Sequence, residues 1–266
     1  MLSLALPLSE KTKAVGFAVM PRGSVLPVAN SILRFFFYWR QRQQRTDYDL
    51  SALMLDENFQ YTGHVSWTRY HDDDGYATYS GDLTEAAAGA SEFIDIDLSR
   101  VKCRYIISQI NIYTGESFEE VEESFFGFME RTPEQKGMPF EARTVRMKSE
   151  IRGKGKVALP LVFAKNEDGS WTAKWLHLHL NGKPNCNRVE ANRLSTSLLV
   201  HTIVCREYLD LGYLIELMRQ KAGSFSWYKG QEISGPVVFI GLETPEGLPA
   251  GSTAIMLGNL QEIIPA

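Results

Sequence analysis

Two histidines, His177 and His179, stand two residues apart in a segment that alternates apolar and polar side chains. Because successive side chains of a β-strand point to opposite faces, residues two apart share a face and could bind one metal ion. No Cys, Asp or Glu stands beside them at a spacing that would complete a ligand set. A polar outer face of a strand therefore explains the pattern better than a zinc site does.

A second pair, His201 and Cys205, has the four-residue spacing that places both on one face of a predicted helix. A thiol beside a base can act as a nucleophile, but a cysteine on a helix is more often a small core residue. The Gly-x-Ser-x-Gly, HExxH and GxxxxGK[ST] motifs of hydrolases, metalloproteases and phosphate-binding loops do not occur. The sequence therefore predicts a protein that is not an enzyme.

Acidic residues gather in two runs. The run Asp72, Asp73, Asp74 and Gly75 looks like the start of an EF-hand loop, but Leu83 stands at the twelfth position, where that loop needs glutamate. A solvated acidic turn is the better interpretation. The second run predicts a solvated face that could dock a basic partner, and it contains Glu116, Glu119, Glu120, Glu122 and Glu123.

Other acidic residues recur in short motifs. Residues 47–56 read Asp-Tyr-Asp-Leu-Ser-Ala-Leu-Met-Leu-Asp, residues 80–84 read Ser-Gly-Asp-Leu-Thr, and residues 92–98 read Glu-Phe-Ile-Asp-Ile-Asp-Leu. In this order the motifs resemble those of the TerD family, which is named for tellurium resistance. The resemblance covers residues 14–180, and the tail after Asn181 has no counterpart in the basic family domain.

The resemblance implies a bacterial stress-response protein with a calcium-binding β-sandwich and no established catalytic activity. Calcium takes roughly six to eight oxygen ligands, several of them from carboxylates. The positions that match the family's acidic loops, and that the resemblance therefore implies as ligands, are Asp47, Asp49, Asp82, Thr84, Glu85 and Glu92, with Asp56, Asp72, Asp73 and Asp74 in reserve.

This chain departs from the family pattern between residues 86 and 90, where alanines replace glycines and acids. Losing charge and backbone flexibility lowers calcium affinity, so two hypotheses stay open: a degenerate calcium site, or a metal-free interaction module of a stress-response complex. Without the resemblance, Asp47 and Asp49 would be turn residues, and Asp82 and Glu92 would cap local backbone. An enzyme, or a binder of a small molecule such as a cyclic nucleotide, is a weaker alternative.

Composition bounds the remaining classes. The 266-residue chain carries a formal net charge of −4, which disfavours nucleic acid as a ligand, because phosphate binding rests on Lys and Arg. Its three cysteines are odd in number and form no CxxC pair, so a secreted disulfide framework is not indicated. No stretch approaches the roughly 20 apolar residues that cross a bilayer. We therefore expect a cytoplasmic protein with protein partners and no transmembrane segment.

The elements that must position these residues are mostly strands. Aromatic and β-branched segments separated by Gly, Asp and Asn predict a mainly-β, two-sheet sandwich over residues 1–181. From Leu33 to Trp39, Phe35 and Phe37 should share the buried face. The turn from Asn166 to Gly169 should close a hairpin. An α-helical C-terminal extension packed on the sandwich is predicted for 182–266, with a helix over 187–220 that Gly212 kinks or divides, a strand at 237–240 and a helix over 252–264.

Overall fold

The computed structural model describes residues 2–6, 20–183, 186–256 and 259. The chain forms two compact units, which we call the sandwich unit, Val25–Glu207, and the terminal unit, Met1–Ser24 with Tyr208–Ala266. In chain order the strands of the sandwich unit are β1 (Val25–Val28), β2 (Ile32–Arg40), β3 (Asp47–Leu55), β4 (Tyr61–Val65), β5 (Ala77–Tyr79), β6 (Ala90–Asp97), β7 (Tyr105–Thr114), β8 (Glu123–Arg131), β9 (Val145–Glu150), β10 (Val157–Lys165) and β11 (Trp171–Leu180).

These strands form two antiparallel sheets. One has six strands in the order β1-β11-β10-β7-β3-β4, and the other has five in the order β5-β6-β2-β8-β9. Neighbours that are far apart in sequence, such as β3 and β7, are paired along their whole length. The predicted mainly-β, two-sheet sandwich is confirmed.

Strand β2 shows why the two sheets stack. Its alternate residues Phe35, Phe37 and Trp39 are fully buried. The ring of Phe35 lies 5.8 Å from Phe126 of β8 and 5.8 Å from Phe163 of β10, which belongs to the opposite sheet. Burying each such ring stabilises the fold by roughly 2–3 kcal/mol. The predicted buried face of this strand is confirmed.

The other face of β2 carries a buried ion pair. Arg34 donates from Nε and Nη2 to the two carboxylate oxygens of Asp95 on β6, each at 2.5 Å. Its Nη1 donates to the carbonyl of Met138 at 2.7 Å, and Arg131 donates to the same carbonyl at 2.8 Å. The two arginines therefore hold the loop of residues 132–144 against the five-stranded sheet.

The alternation predicted along β11 is wrong beyond Trp175. The register of β10 against β11 shifts between Leu159 and Leu161, so β11 carries an extra residue there, a β-bulge. His177 adopts a left-handed φ of 43°, and its ring stacks on that of Trp175 at 5.3 Å. Because the bulge interrupts the period of two, His177 and His179 do not form the simple polar stripe that the sequence predicts.

The turn before β11 forms as predicted. The N–H of Asn166 donates to the carbonyl of Ser170 at 2.7 Å and closes the hairpin between β10 and β11. Gly169 has a φ of 84°, a left-handed conformation that glycine adopts without strain. The Asn166 to Gly169 hairpin turn is confirmed.

The segment after β11 is helical in two pieces. Helix α1 (Arg193–Val204) belongs to the sandwich unit, and helix α2 (Leu211–Lys221) belongs to the terminal unit. The side chain of Asp210 caps α2 by accepting the N–H of the third helical residue at 2.8 Å. The helix predicted over 187–220 is therefore divided, but before Asp210 rather than at Gly212.

The terminal unit also contains a parallel two-stranded sheet of β12 (Val238–Ile240) and β13 (Thr253–Ile255). The strand predicted at 237–240 is confirmed. The helix predicted over 252–264 is wrong at its start, where β13 stands, and most of its remainder lies outside the described residues. Within the part of the chain that the structure describes, no helix is both long and apolar enough to span a membrane.

The predicted domain boundary lies inside the sandwich unit. That unit continues past residue 181 to Glu207 and so includes helix α1. The segment 186–204 contacts the six-stranded sheet through hydrogen bonds such as those of Asn187 to Asp49 of β3 and of Thr196 to Gln109 of β7. The division of the chain into domains 1–181 and 182–266 stays a prediction.

Candidate metal centre

Strand β3 places two carboxylates on one face of its sheet. Tyr48, which stands between Asp47 and Asp49, turns inward and packs its ring 5.7 Å from Trp39 of the opposite sheet. Because neighbouring side chains alternate, Asp47 and Asp49 point to the outer face. They are nevertheless only 7% and 1% exposed. The segment after β11 covers this face, and the amide Nδ2 of Asn187 donates to Asp49 Oδ2 at 2.8 Å.

A third carboxylate joins these two from a loop. Residues 80–89 connect β5 to β6, and Asp82 of this loop completes a group in which one oxygen each from Asp47, Asp49 and Asp82 lies within 4.8 Å of the others. Calcium binds oxygen at about 2.3–2.6 Å, so ligand atoms on opposite sides of the ion are about 4.6–5.2 Å apart. The three oxygens therefore fit around one ion of that size.

One oxygen of this cluster is both buried and unpaired. Within the described residues, Asp47 Oδ1 has no hydrogen-bond partner although water cannot reach it. Such atoms are rare in folded proteins, because an unsatisfied buried polar group costs roughly 1–3 kcal/mol. A cation held between the three carboxylates would supply the missing partner.

The surroundings of the three acids oppose their ionisation. Burial, reinforced by the charge of Asp82, raises the pKa of Asp47 to about 6. Burial raises the pKa of Asp49 to about 7, with the charges of Asp47 and Asp82 acting in the same direction. Burial also raises the pKa of Asp82. A bound cation would favour the charged forms and reverse these shifts.

Glu92 lies behind the cluster and shapes it. Its carboxylate oxygens accept the backbone N–H groups of Leu50 at 2.8 Å and of Leu83 at 3.0 Å. Burial raises the pKa of Glu92 to about 8, although both N–H groups act to lower it. Because these bonds join β3 to the 80–89 loop, Glu92 positions Asp82 beside the two aspartates of the strand.

Thr84 is bound by an arginine. Arg45 donates from Nε to the carbonyl of Thr84 at 3.1 Å and from Nη2 to its Oγ1 at 2.7 Å. Glu85 is exposed, and neither its carboxylate nor that of Glu92 belongs to the converging group. Of the six predicted ligands the structure therefore gathers three, Asp47, Asp49 and Asp82.

Arg45 places a positive charge close to the cluster and, against the effect of burial, lowers the pKa of Asp47. Replacing Arg45 with glutamine should remove this repulsion and free both oxygens of Thr84. We expect calcium affinity to rise about threefold to tenfold, as measured by calorimetric titration. The control is Lys165→Gln. It removes a positive charge at the far end of the sheet, where Lys165 pairs with Trp171, and it should leave the calcium affinity unchanged. Equal affinities in the two variants would contradict the prediction.

Glu116 anchors the turn that carries Arg45. Its carboxylate accepts the backbone N–H groups of Arg42 at 2.7 Å, Gln43 at 2.6 Å and Gln44 at 3.0 Å. The prediction of a solvated acidic face is therefore wrong for this residue, which is buried. Burial by itself raises the pKa of Glu116, but the three donors outweigh burial, and the pKa lies below its usual value.

Glu116→Gln is expected to lower the free energy of unfolding by about 2–3 kcal/mol, because an amide NH2 would face a backbone N–H. In the wild type the folded-state pKa is the lower one, so this stabilisation is complete above the unfolded pKa of about 4.3. It is lost as the pH falls through the folded-state pKa. Urea unfolding at pH 7 and pH 4 measures both effects. The exposed Glu119→Gln is the control, and equal stability of the two variants would contradict the anchoring role.

The further candidate ligands, Asp56 and Asp72 to Asp74, lie in turns away from the three converging carboxylates. Asp56 Oδ1 accepts the N–H groups two and four residues ahead, at 2.9 and 2.8 Å. Asp72 accepts the N–H groups two and five residues ahead, at 2.9 and 2.6 Å, and Asp74 pairs with exposed Lys102 at 2.8 Å. The interpretation of residues 72–75 as a solvated acidic turn is confirmed.

Two residues at the cluster carried no signal in the sequence. Arg45 stands in a turn, and Asn187 stands 138 residues beyond the aspartate that it contacts. Asn187 reads as the start of a helix, and nothing in its neighbours indicates a carboxylate partner. Only the path of the chain after β11 brings it to β3.

Solved structures offer a comparison for the sandwich. One is a homologue of telluride resistance protein (TerD) from Streptomyces coelicolor A3(2), with 13% identity and a TM-score of 0.48, covering 59% of this chain and 94% of that chain. The sandwich resembles that of a TerD homologue.

A second solved structure is a protein of unknown function, with 15% identity and a TM-score of 0.47, covering 58% of this chain and 92% of that chain. No family model and no curated protein matches the sequence. Both likenesses are structural and of low identity, and nothing about function follows from them.

Proposed function

We propose that this protein is a non-enzymatic calcium-binding protein of a bacterial stress response, and that the ion lies between Asp47, Asp49 and Asp82. The observation that carries the proposal is the unpaired oxygen Asp47 Oδ1, buried within a group of three converging carboxylates. Three carboxylates held this close repel one another when ionised, and a cation between them would relieve this repulsion and favour the charged forms that burial opposes.

The chemistry of the donors favours calcium among the common ions. The converging atoms are all carboxylate oxygens, which suit hard cations rather than zinc or copper. Asp82 is exposed, so water can complete the coordination from that side. Calcium accepts irregular sets of oxygens, whereas magnesium demands near-octahedral geometry and gives up its water reluctantly. The irregular combination of one strand and one loop therefore suits calcium better.

The stress-response role is supported by the sequence motifs that resemble the TerD family. As part of the same proposal the protein acts in the cytoplasm through contacts with other proteins. The cysteines agree with a reducing compartment: Cys103, Cys186 and Cys205 all carry free thiols. The bound calcium would set the shape of the 80–89 loop, which then forms part of the contact surface.

The test is a calorimetric titration of chelator-treated protein with calcium, with magnesium titrated in parallel. We expect saturable binding of one calcium ion and weaker binding of magnesium. Thermal melting should show stabilisation of about 2.7 kcal/mol when calcium is present at one hundred times its dissociation constant, because ligand binding to the native state alone raises stability. No heat and no shift in melting would refute the calcium site and favour the metal-free interaction module.

A further inference from the structure

The segment of residues 186–204 is held to the six-stranded sheet by polar contacts. Ser197 Oγ donates to the carbonyl of Phe59 at 2.6 Å, and His64 Nε2 lies 3.2 Å from Glu190 Oε1. At its start, the Nδ2 of Asn187 donates to Asp49 Oδ2 at 2.8 Å. The contact of Asn187 differs from the others, because it ends on a carboxylate of the proposed ion site.

The three aspartates cannot complete a calcium site by themselves. They offer three to six oxygens, depending on whether each binds through one or both, whereas calcium takes roughly six to eight. Asp47 Oδ1 shows that the site is built and lacks a partner, since it is buried and unpaired among the described residues. The missing ligands should include neutral oxygens, because a fourth carboxylate would add a further buried charge. Asparagine amide oxygens are common calcium ligands.

Asn187 is placed where such a ligand would stand. Two neighbouring ligand atoms on a sphere of about 2.3–2.6 Å radius lie about 3 Å apart, and its amide nitrogen is 2.8 Å from Asp49 Oδ2. The amide oxygen and nitrogen lie in one plane on opposite sides of the Cβ–Cγ bond, so a half-turn about that bond exchanges them. The rotation needs no movement of the backbone.

We propose that Asn187 is a switchable ligand of the cation, donating its N–H to Asp49 when the ion is absent and turning its amide oxygen to the ion when calcium binds. This inference rests on the proposed calcium site. In both states the Asn187 side chain links the segment 186–204 to β3. We expect the bond from its amide oxygen to calcium to be stronger than the hydrogen bond to Asp49. Calcium therefore holds this segment, which includes helix α1, more firmly against the six-stranded sheet and makes its local opening rarer.

The test compares calcium titrations of the full chain carrying Asn187→Ala, Asn187→Asp or Asn166→Asp. Removing the oxygen in Asn187→Ala should weaken binding about tenfold. Asn187→Asp keeps an oxygen ligand and adds charge, so it should bind calcium at least as tightly as the wild type. Asn166→Asp adds the same charge in the hairpin turn after β10 and should bind as the wild type does.

Hydrogen exchange gives a second measurement. In the wild type, calcium should slow amide exchange across residues 186–204, and this slowing should be lost in Asn187→Ala. Slower exchange confined to the 80–89 loop would overturn the proposed tightening.

The titrations separate this inference from the proposed function. The Asn187 side chain is not a ligand if Asn187→Ala and Asn187→Asp both bind calcium with wild-type affinity. The same holds if both variants lose the same affinity. In either case the calcium site remains, without Asn187 as one of its ligands. An equal loss in both variants would identify Asn187 as a simple hydrogen-bond donor. If the wild type binds no calcium, the proposed function and this inference both fall.

Discussion

Replacing Asp49 with asparagine is expected to abolish calcium binding and, in chelator-treated protein at pH 7, to raise the free energy of unfolding by about 2 kcal/mol. Asp49 is 1% exposed, and burial raises its pKa to about 7. The difference between this pKa and the unfolded value of about 3.9 corresponds to roughly 4 kcal/mol of cost to the charged form. About half of the gain from removing the charge is offset in the variant, because burying the asparagine amide also costs free energy. Asparagine removes the charge and keeps an oxygen that can accept the N–H of Asn187.

The pH dependence of the same comparison has a definite sign. The folded-state pKa of Asp49 lies above the unfolded value of about 3.9, so the folded chain binds more protons between these values. The stability of chelator-treated wild type should therefore fall relative to Asp49→Asn as the pH rises from about 4 to about 7. Thermal melting of both proteins across this range measures the difference.

A matched control uses the exposed acid of the same loop. Glu85→Gln removes one carboxylate next to the site, but Glu85 does not belong to the converging group. Its calcium affinity should stay within about twofold of the wild type. If Asp49→Asn binds calcium as the wild type does, the cluster is not the ion site. If Glu85→Gln loses binding, the ion lies further along the loop than we propose.

Asp95→Ala is expected to lower the free energy of unfolding by about 4 kcal/mol, because removing one partner of a buried ion pair leaves the other charge uncompensated. Asp95 is the carboxylate that receives both N–H donors of Arg34, and its Oδ2 also accepts the N–H of Gly137 at 3.0 Å. Burial and the nearby Arg34 already lower the pKa of Arg131. Without Asp95, the buried guanidinium group of Arg34 would lose its carboxylate partner beside a second buried guanidinium group, that of Arg131.

Urea unfolding measures this loss, and limited proteolysis shows where it acts. The loop of residues 132–144 should become the first site of cleavage, because Asp95 and the two arginines hold it. Asp73→Ala is the matched control: it breaks the ion pair with Arg69, in which the side chain of Asp73 is 93% exposed, and it should change stability little. Similar losses in the two variants would contradict a special role for the buried pair.

Local sequence pattern predicted those elements whose side chains alternate without interruption. In β2 the period of two placed Phe35, Phe37 and Trp39 on one face, and tertiary packing agreed with it. In β11 the same reasoning failed at His177, because a β-bulge depends on the pairing with β10 and has no local signature there. The helix over 187–220 was mispredicted for a related reason, since apolar spacing does not record that Asp210 caps a new helix.

The sequence by itself indicated Asp47 and Asp49 as site residues only through motifs that resemble the TerD family. Without them it predicted turn residues, and the structure decided that both lie on strand β3, where residues two apart share a face. The motifs also indicated the 80–89 loop and Glu92 as parts of one region. Only the tertiary structure decided that Asp82 reaches the strand acids while Glu92 is used on backbone N–H groups. It also decided that Asn187 arrives from far along the chain. The reason is physical: burial, pKa and ligand geometry depend on which distant segments exclude water from a site, and spacing along the chain does not encode that exclusion.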